Sequence, residues 1–368
     1  MKKIILSVLI SILSFFLPSY AASIGAADTQ AGAFQRWTFS AEAIGLDRVG
    51  TAKQTLVERV PGSVLFLMIP VTPGTAALNS TDLKQGFSPG FRVGATYHVD
   101  SNRDVSLSFF RIADWDSTRS IGPDNPLDWL VMRAPGGFFQ TQDFTYQSMT
   151  WDYSTDLYSA ELNVQNKFSN RITMLAGFRW FQLYENLQGT IPPADRIQPL
   201  WKNNPLADLA YVLWYENQPG GTPAPEYPPF WITSTVNNLY GFQIGADAKL
   251  FERGHFSLNG LIKFGGYCNH ASESTGVSIA KVVYKSGASI DRAAFVSEAG
   301  LQCKYQVTRC ITLKLGYEVL WLYGVALAPG QIQETYTTNA PTGAHARGVN
   351  SDSNVLFHGA SAGLEFSF

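Results

Sequence analysis

The sequence predicts an all-β fold, a closed antiparallel transmembrane β-barrel of ten strands, with twelve as the alternative count. Three features point there. Apolar and polar side chains alternate with a period of two, which is the period of a strand and not of a helix. Short polar turns alternate with long connecting segments along the chain. The last run, VLFHGASAGLEFSF, keeps the alternation up to Phe368. Composition agrees. Of 368 residues, 45% are hydrophobic and only 15% are charged. A soluble domain carries about 25% charged residues, so part of this surface has no need of charge. The net charge of −2 argues against a nucleic-acid partner.

Residues 1–21, MKKIILSVLISILSFFLPSYA, join Lys2 and Lys3 to an apolar stretch and a small-residue exit at Ser19, Tyr20 and Ala21. This is the pattern of a secretory signal peptide. Residues 22–35 are expected to form a periplasmic N-terminal segment and residues 36–368 the barrel. Beyond the signal, no run reaches the roughly 18–20 apolar residues of a membrane helix.

Ten alternating runs follow. They are RWTFSAEAI (36–44), GFRVGATYHV (90–99), VSLSFFRIA (105–113), LYSAELNVQ (157–165), RITMLAGFRWFQLY (171–184), NNLYGFQIGADAKLF (237–251), HFSLNGLIKFGGY (255–267), AAFVSEAGLQCKYQV (293–307), ITLKLGYEVLWLY (311–323) and the terminal run. In the sixth, Tyr240, Phe242 and Ile244 fall on one parity, and Gln243, Asp247 and Lys249 on the other. Short turns are expected near 100–104, 165–171, 251–255 and 308–310. Long segments are expected at 46–88, 114–156, 186–236, 268–292 and 324–353. The third is proline-rich and cannot be regular sheet or helix throughout. Twelve strands would result if TLVERV (55–60) and SVLFLMIPV (63–71) added a hairpin to the ring.

Short turns on one side and long loops on the other are the rhythm of a bacterial outer-membrane barrel. A secreted two-sheet sandwich would instead bury Ile244, Phe264 and Leu315 between its sheets. Aromatic residues near the ends of the apolar parity (Tyr240, Phe264, Trp180, Tyr317 and Trp321) suit an interfacial girdle. The last strand is expected to close the ring against the first. Phe366 and Phe368 resemble the C-terminal aromatic ending that the barrel-assembly machinery recognises.

SAELNVQNKFSNRITMLAGFRWFQLYENL and NNLYGFQIGADAKLFERGHFSLNGLIKFGGYCNHA resemble a planctomycete-type outer-membrane beta-barrel protein family. AGFRW after a polar turn, NNLYG-x-QIGADA before a charged turn, and G-x-IK-x-G-x-Y-x-N carry the likeness. It spans about 159–188 and 236–272, and the remainder follows only in strand rhythm. The resemblance implies a barrel and the outer membrane, and no transported solute.

The polar parity, read as a lumen, holds the acids Glu42, Glu161, Asp247, Glu298, Glu318 and Glu365 and the bases Arg92, Arg179, Lys249, Lys263, Lys304 and Lys314. A strongly ion-selective pore shows an excess of one sign. Balance predicts ion pairs across the interior. A ten-stranded ring is narrow, because barrels of about eight strands are filled by side chains and open channels have about sixteen to eighteen. Glycines on the lumen parity, such as Gly241, Gly265 and Gly363, are expected to make room for bulky neighbours or to let strands bend. No cofactor or metal is expected, since no paired-histidine spacing occurs. Cys268, Cys303 and Cys310 are an odd set, and their pairing stays open.

The expected protein is therefore a porin-like or structural outer-membrane barrel with a narrow, charge-balanced lumen, and not an enzyme. Its expected partners are outer-membrane lipid and, through the C-terminal strand, the assembly machinery. The alternative is a surface adhesin or receptor that meets an extracellular ligand through its outer loops. A distant third is a rim hydrolase using Asp114, Asp116, Asp152, Asp156 or His270, although no nucleophile–base–orienter set is visible in the sequence.

Overall fold

The computed structural model describes residues 36–61, 75–122, 128–131, 145–146, 148–190, 222–223, 230–279, 282–332, 335–337, 344–346 and 348–368. The signal peptide, the N-terminal segment and SVLFLMIPV fall outside them.

Ten long strands form the ring: β1 (Trp37–Val49), β2 (Phe87–His98), β3 (Arg103–Ile121), β4 (Met149–Lys167), β5 (Ile172–Thr190), β6 (Phe230–Arg253), β7 (Phe256–Ile279), β8 (Val282–Gln306), β9 (Ile311–Val325) and β10 (Ser353–Ser367). Each pairs antiparallel with its chain neighbours, and β1 pairs with β10. Thr38 lies opposite Ser367 in that closing ladder. Beyond it, the Phe368 N–H donates to the Trp37 carbonyl at 2.8 Å and the Trp37 N–H donates to the Phe368 carbonyl at 3.2 Å. Closure leaves no unpaired sheet edge, which lipid does not tolerate.

The expected short turns lie together at one end, the periplasmic end. In the first, the Asn102 and Arg103 amides donate to Asp100 Oδ1 at 2.8 and 2.9 Å. The Asn102 amide, with Arg103, holds this exposed carboxyl below the ordinary value. Between β6 and β7, Gly254 turns the chain at φ 61°, a conformation that suits glycine.

The structure corrects the expected long segments. Parts of 114–156, 186–236 and 268–292 are strand, and β6, β7 and β8 run for 24, 24 and 25 residues. About 9–11 residues suffice to cross the bilayer, so the barrel continues well above it. In place of the segment expected at 268–292, β7 and β8 form one long hairpin whose ladder ends at Ile279 and Val282. The outward parity explains the misreading. On β5 it changes from Ile172, Met174 and Phe178 to Gln182, Asn186 and Gln188, and on β6 Asn238 and Ser234 lie above Tyr240. Above the membrane both faces of a strand differ from the lipid-level pattern, because water replaces lipid outside.

Below that level the outward residues are bare. Phe242, Ile244, Leu315 and Phe264 are 76%, 66%, 62% and 47% exposed, so no second sheet covers them. The Trp180 and Tyr240 positions lie opposite each other where the outer face changes character. Trp37 and Tyr97, with ring centroids 4.9 Å apart, mark the opposite rim. Ile244→Arg, between Tyr240 and Phe251, is expected to cost about 2–4 kcal/mol if this face meets lipid. Equilibrium refolding into vesicles measures it, and a loss below about 1 kcal/mol would speak against lipid contact.

TLVERV is a strand, but it does not widen the ring to twelve. Strand Thr55–Pro61 pairs with Thr75–Asn79 and with Asp128–Val131, which pairs with Thr145–Tyr146, in a separate four-stranded sheet. Leu56, Val57, Leu78 and Leu130 from this sheet pack with Met149, Trp151 and Tyr153 of β4, Leu187 of β5 and Trp231 of β6. Those barrel residues lie on the inward parity, so the sheet seals against the inner wall of the extracellular mouth. No helix among the described residues is long and apolar enough to cross a membrane.

Candidate functional site

The inner face of the barrel is layered, and single strands show the order. On β5 the inward parity runs Arg179, Phe181, Leu183, Glu185, Leu187 from the membrane toward the outside. On β1 it runs Glu42, Ile44, Leu46, Arg48. A charged layer is followed by an apolar one, then by a second polar one.

The charged layer contains most of the expected lumen residues. Arg179 Nη1 of β5 lies 2.6 Å from Glu298 of β8 and 3.7 Å from Glu161 of β4. Lys263 Nζ of β7 lies 2.9 Å from Glu161 and 3.3 Å from Glu298. Arg92 of β2 donates to Glu318 of β9 at 2.7 and 2.8 Å and to Glu42 of β1 at 3.4 Å. Lys314 of β9 reaches Glu42 at 2.5 Å and Glu365 of β10 at 3.7 Å, and Lys304 of β8 also stands 3.7 Å from Glu365. The pairs Arg179–Glu298, Lys263–Glu161 and Arg92–Glu318 each reach over two intervening strands, so they are chords through the interior. Gln243 fills the space between them, donating to Glu161 at 2.6 Å and to Asn163 at 2.7 Å. Glu42, Arg179, Lys263 and Glu298 are buried. Charges taken from water need such partners.

Two expected lumen charges stand apart. Lys249 pairs with Glu252, also on β6, at 2.9 Å, and Asp247 accepts from Asn259 at 2.9 Å. Both sit at the periplasmic end of β6, where water is near and a chord has no advantage.

Glycines give these side chains their room. A Cβ on Gly363 would stand 2.7 Å from Glu42 Cγ, and a Cβ on Gly241 or Gly265 would stand 2.6 Å from the Tyr267 ring.

Above the charges lies an apolar layer that the sequence reading did not identify. Ile44, Leu46, Phe110, Ile112, Trp115, Phe181, Leu183, Leu239, Tyr267, Leu320, Leu322 and Phe357 belong to one buried cluster. The Arg179 guanidinium rests 4.2 Å from the Phe181 ring centroid, joining the two layers. Trp115 enters through a bulge on β3, where the ladder slips between Ile112 and Trp115 and Asp114 adopts φ 66°. The extra residue changes the phase of the strand, and the Trp115 Nε1–H donates to the Leu46 carbonyl at 3.0 Å. A signal for this layer exists in the sequence: in VLWLY, at the end of the ninth run, both parities are apolar.

The third layer holds a piece of the β9–β10 connection inside the barrel. Residues 326–329 and 331–332 are buried, and Ala328–Gln331 forms one helical turn, α1. Asn237 of β6 accepts from the Ala326 N–H at 2.7 Å and donates to its carbonyl at 2.8 Å, while Asn269 of β7 donates to the Gly324 carbonyl at 2.9 Å. Glu185 accepts from the Ala328 N–H and the Tyr153 hydroxyl, both at 2.8 Å, and pairs with Arg48. These groups satisfy the backbone of a segment removed from water.

The four rim acids gather on β3 and β4, where burial and the nearby Asp114, Asp156 and Asp152 push the Asp116 carboxyl above its ordinary value, but His270 does not join them. Asp152 and Asp156 lie on the outward parity of β4, with Asp152 accepting from Thr118 at 2.6 Å and Asp156 from the Asp114 N–H at 3.0 Å. His270 pairs with Asp291 at 2.7 Å on β7 and β8, and β5 and β6 separate it from β4. No group of His, Cys, Asp and Glu suited to a metal occurs among the described residues. Cys268, Cys303 and Cys310 form no disulfide.

A closed ring with a lipid-level apolar band, short turns at one end and long excursions at the other defines a class: this is a bacterial outer-membrane β-barrel protein. More particularly, residues 230–368, which hold β6 to β10, match the family described as "Putative beta barrel porin-7 (BBP7)". That region contains the NNLYG stretch, one of the two that carry the resemblance; the other, around AGFRW, precedes it. The fold is also similar to the outer membrane protease OmpT of Escherichia coli, at 11% identity and TM-score 0.43, covering 93% of this chain and 99% of that one. The translocator domain of the autotransporter NalP from Neisseria meningitidis is similar at 9% identity and TM-score 0.38, covering 95% and 92%. The toluene transporter TodX of Pseudomonas putida is similar at 10% identity and TM-score 0.31, covering 91% and 90%. The search of curated proteins finds no match.

Proposed function

We propose that the protein is a porin-like, chiefly structural outer-membrane barrel whose lumen is held shut and passes at most a slow, weakly selective leak. One observation carries this reading: the ionic chords Arg179–Glu298, Lys263–Glu161 and Arg92–Glu318 run through the interior of a narrow ten-stranded ring. The apolar layer and the inserted 326–332 segment add to it. Planar-bilayer recording of the purified barrel is expected to show a baseline with rare, brief openings, and vesicles carrying it should not swell in small sugars. A large, steady conductance overturns the closed reading. Phe366 and Phe368 are proposed to present the terminal strand to the assembly machinery, so Phe368→Ser should slow insertion in reconstituted assembly.

A second reading has its own support. The strands rise far above the lipid band with a polar outer face, which suits a platform for an extracellular ligand or surface. Trimming residues 191–221 should then abolish cell or surface binding while the barrel still folds. Unchanged binding removes that role.

A further inference from the structure

At the periplasmic end of the inner face, Thr38 of β1, His98 of β2 and Asp104 of β3 meet. His98 Nδ1 lies 2.6 Å from Asp104 Oδ1, and Nε2 lies 2.9 Å from Thr38 Oγ1. Ser367 Oγ of β10 is 3.1 Å from Thr38 Oγ1. A carboxylate only accepts, so the Nδ1–H donates to Asp104 and Nε2 of the neutral ring accepts from the Thr38 hydroxyl. That leaves the Ser367 hydroxyl to donate to Thr38. The ladders hold the set in place: Thr38 stands opposite Ser367, and His98 opposite Asp104. Asp104 is buried, whereas the His98 side chain keeps 25% of its surface open and Thr38 is partly exposed. A buried acid behind an imidazole, behind a hydroxyl at a wet mouth, is the nucleophile–base–orienter relation, which is recognised by geometry and not by chain order.

Charged residues lie on the same inner face nearby. Glu365, two residues from Ser367 on the same face of β10, stands 3.7 Å from Lys304, whose side chain is 28% exposed. Lys304 thus lies on the same inner face, with β9 and β10 between it and Thr38. The charged layer lies toward the outside of the site, so access is from the periplasm.

We propose that this mouth is an acyl-transfer site for small esters, with Thr38 as nucleophile, His98 as general base and Asp104 as the positioning residue. Thr38 Oγ1 bonds to the ester carbonyl carbon as its proton passes to His98 Nε2. The bond from that carbon to the alkoxy oxygen breaks, and His98 returns the proton to the leaving alcohol. Water, deprotonated by His98, then attacks the acyl-Thr38 carbonyl. The bond from the acyl carbon to Thr38 Oγ1 breaks, His98 Nε2 returns the proton to Oγ1, and the acid leaves.

The test uses the full chain refolded in detergent, with folding confirmed by the faster gel migration of unheated samples. The probes are p-nitrophenyl acetate and a fluorophosphonate. The fluorophosphonate should label the peptide holding Thr38, and Thr38→Val should abolish labelling and turnover while Thr38→Ser retains both. His98→Gln should lower the rate by about 10²–10⁴-fold. Asp104→Asn should lower the rate without moving the label. A folded wild type that takes no label, turnover that survives Thr38→Val, or a label on Ser367 instead overturns the assignment.

Discussion

Arg179→Met is expected to destabilise the barrel by about 3–5 kcal/mol, the cost of removing one partner from a buried charge set. Arg179, Lys263, Glu161 and Glu298 form a balanced quartet of two cations and two anions, joined by four contacts between 2.6 and 3.7 Å. Methionine preserves much of the volume against Phe181, so the change is mainly electrostatic. It leaves Lys263 to serve two carboxylates in a layer shielded from water. It also deprives Ser159 Oγ of its donor, the Arg179 Nε–H, at 2.9 Å. Denaturant unfolding in vesicles, followed by tryptophan fluorescence, gives the difference directly. Arg179→Met combined with Glu298→Gln restores one cation to one anion and should recover a substantial part of the loss. A single-variant cost below about 1 kcal/mol would mean that water compensates these charges, as at an exposed pair, and the closed-lumen reading would lose its main support.

The sequence displayed the charged layer well because it obeys the simplest rule of a membrane barrel. Where the outside is lipid, a charge has only the inside to occupy. Glu42, Arg92, Arg179 and Lys263 could therefore be placed by parity alone, together with the closure by β10. The rule stops at the outer rim of the bilayer. Above Trp180 and Tyr240 the outside is water and the inside is filled, so the parities exchange character: Gln182 and Asn186 face out while Leu183 and Leu187 face in. A reading tuned to apolar-out alternation treats such stretches as loop, which is why β6, β7 and β8 emerge longer than expected. The bulge that admits Trp115 changes phase within a strand and has no signature in the parity. The Thr38–His98–Asp104 set was hidden for a different reason. Its members lie on three strands, and only the register of two ladders brings them together.

Glu185→Leu is expected to act on the inserted segment more than on the ring. Glu185 is fully buried and serves three partners: the Arg48 guanidinium, the Tyr153 hydroxyl and the Ala328 N–H. Leucine leaves a buried guanidinium without its carboxylate, at a cost of about 3–5 kcal/mol, and a backbone donor without an acceptor, at about 1–3 kcal/mol. The two losses share one origin and do not add in full. The sharper readout is local. Ala326 keeps its acceptor, Asn237 Oδ1, while Ala328 loses its own. Amide exchange at Ala328 should therefore accelerate strongly, with Ala326 and the lumen-level strands still protected. Asn237→Ala should reverse that order, releasing Ala326 first. If both amides exchange at the wild-type rate in Glu185→Leu, then tight packing of the apolar connection, and not this carboxylate, holds the segment within the barrel.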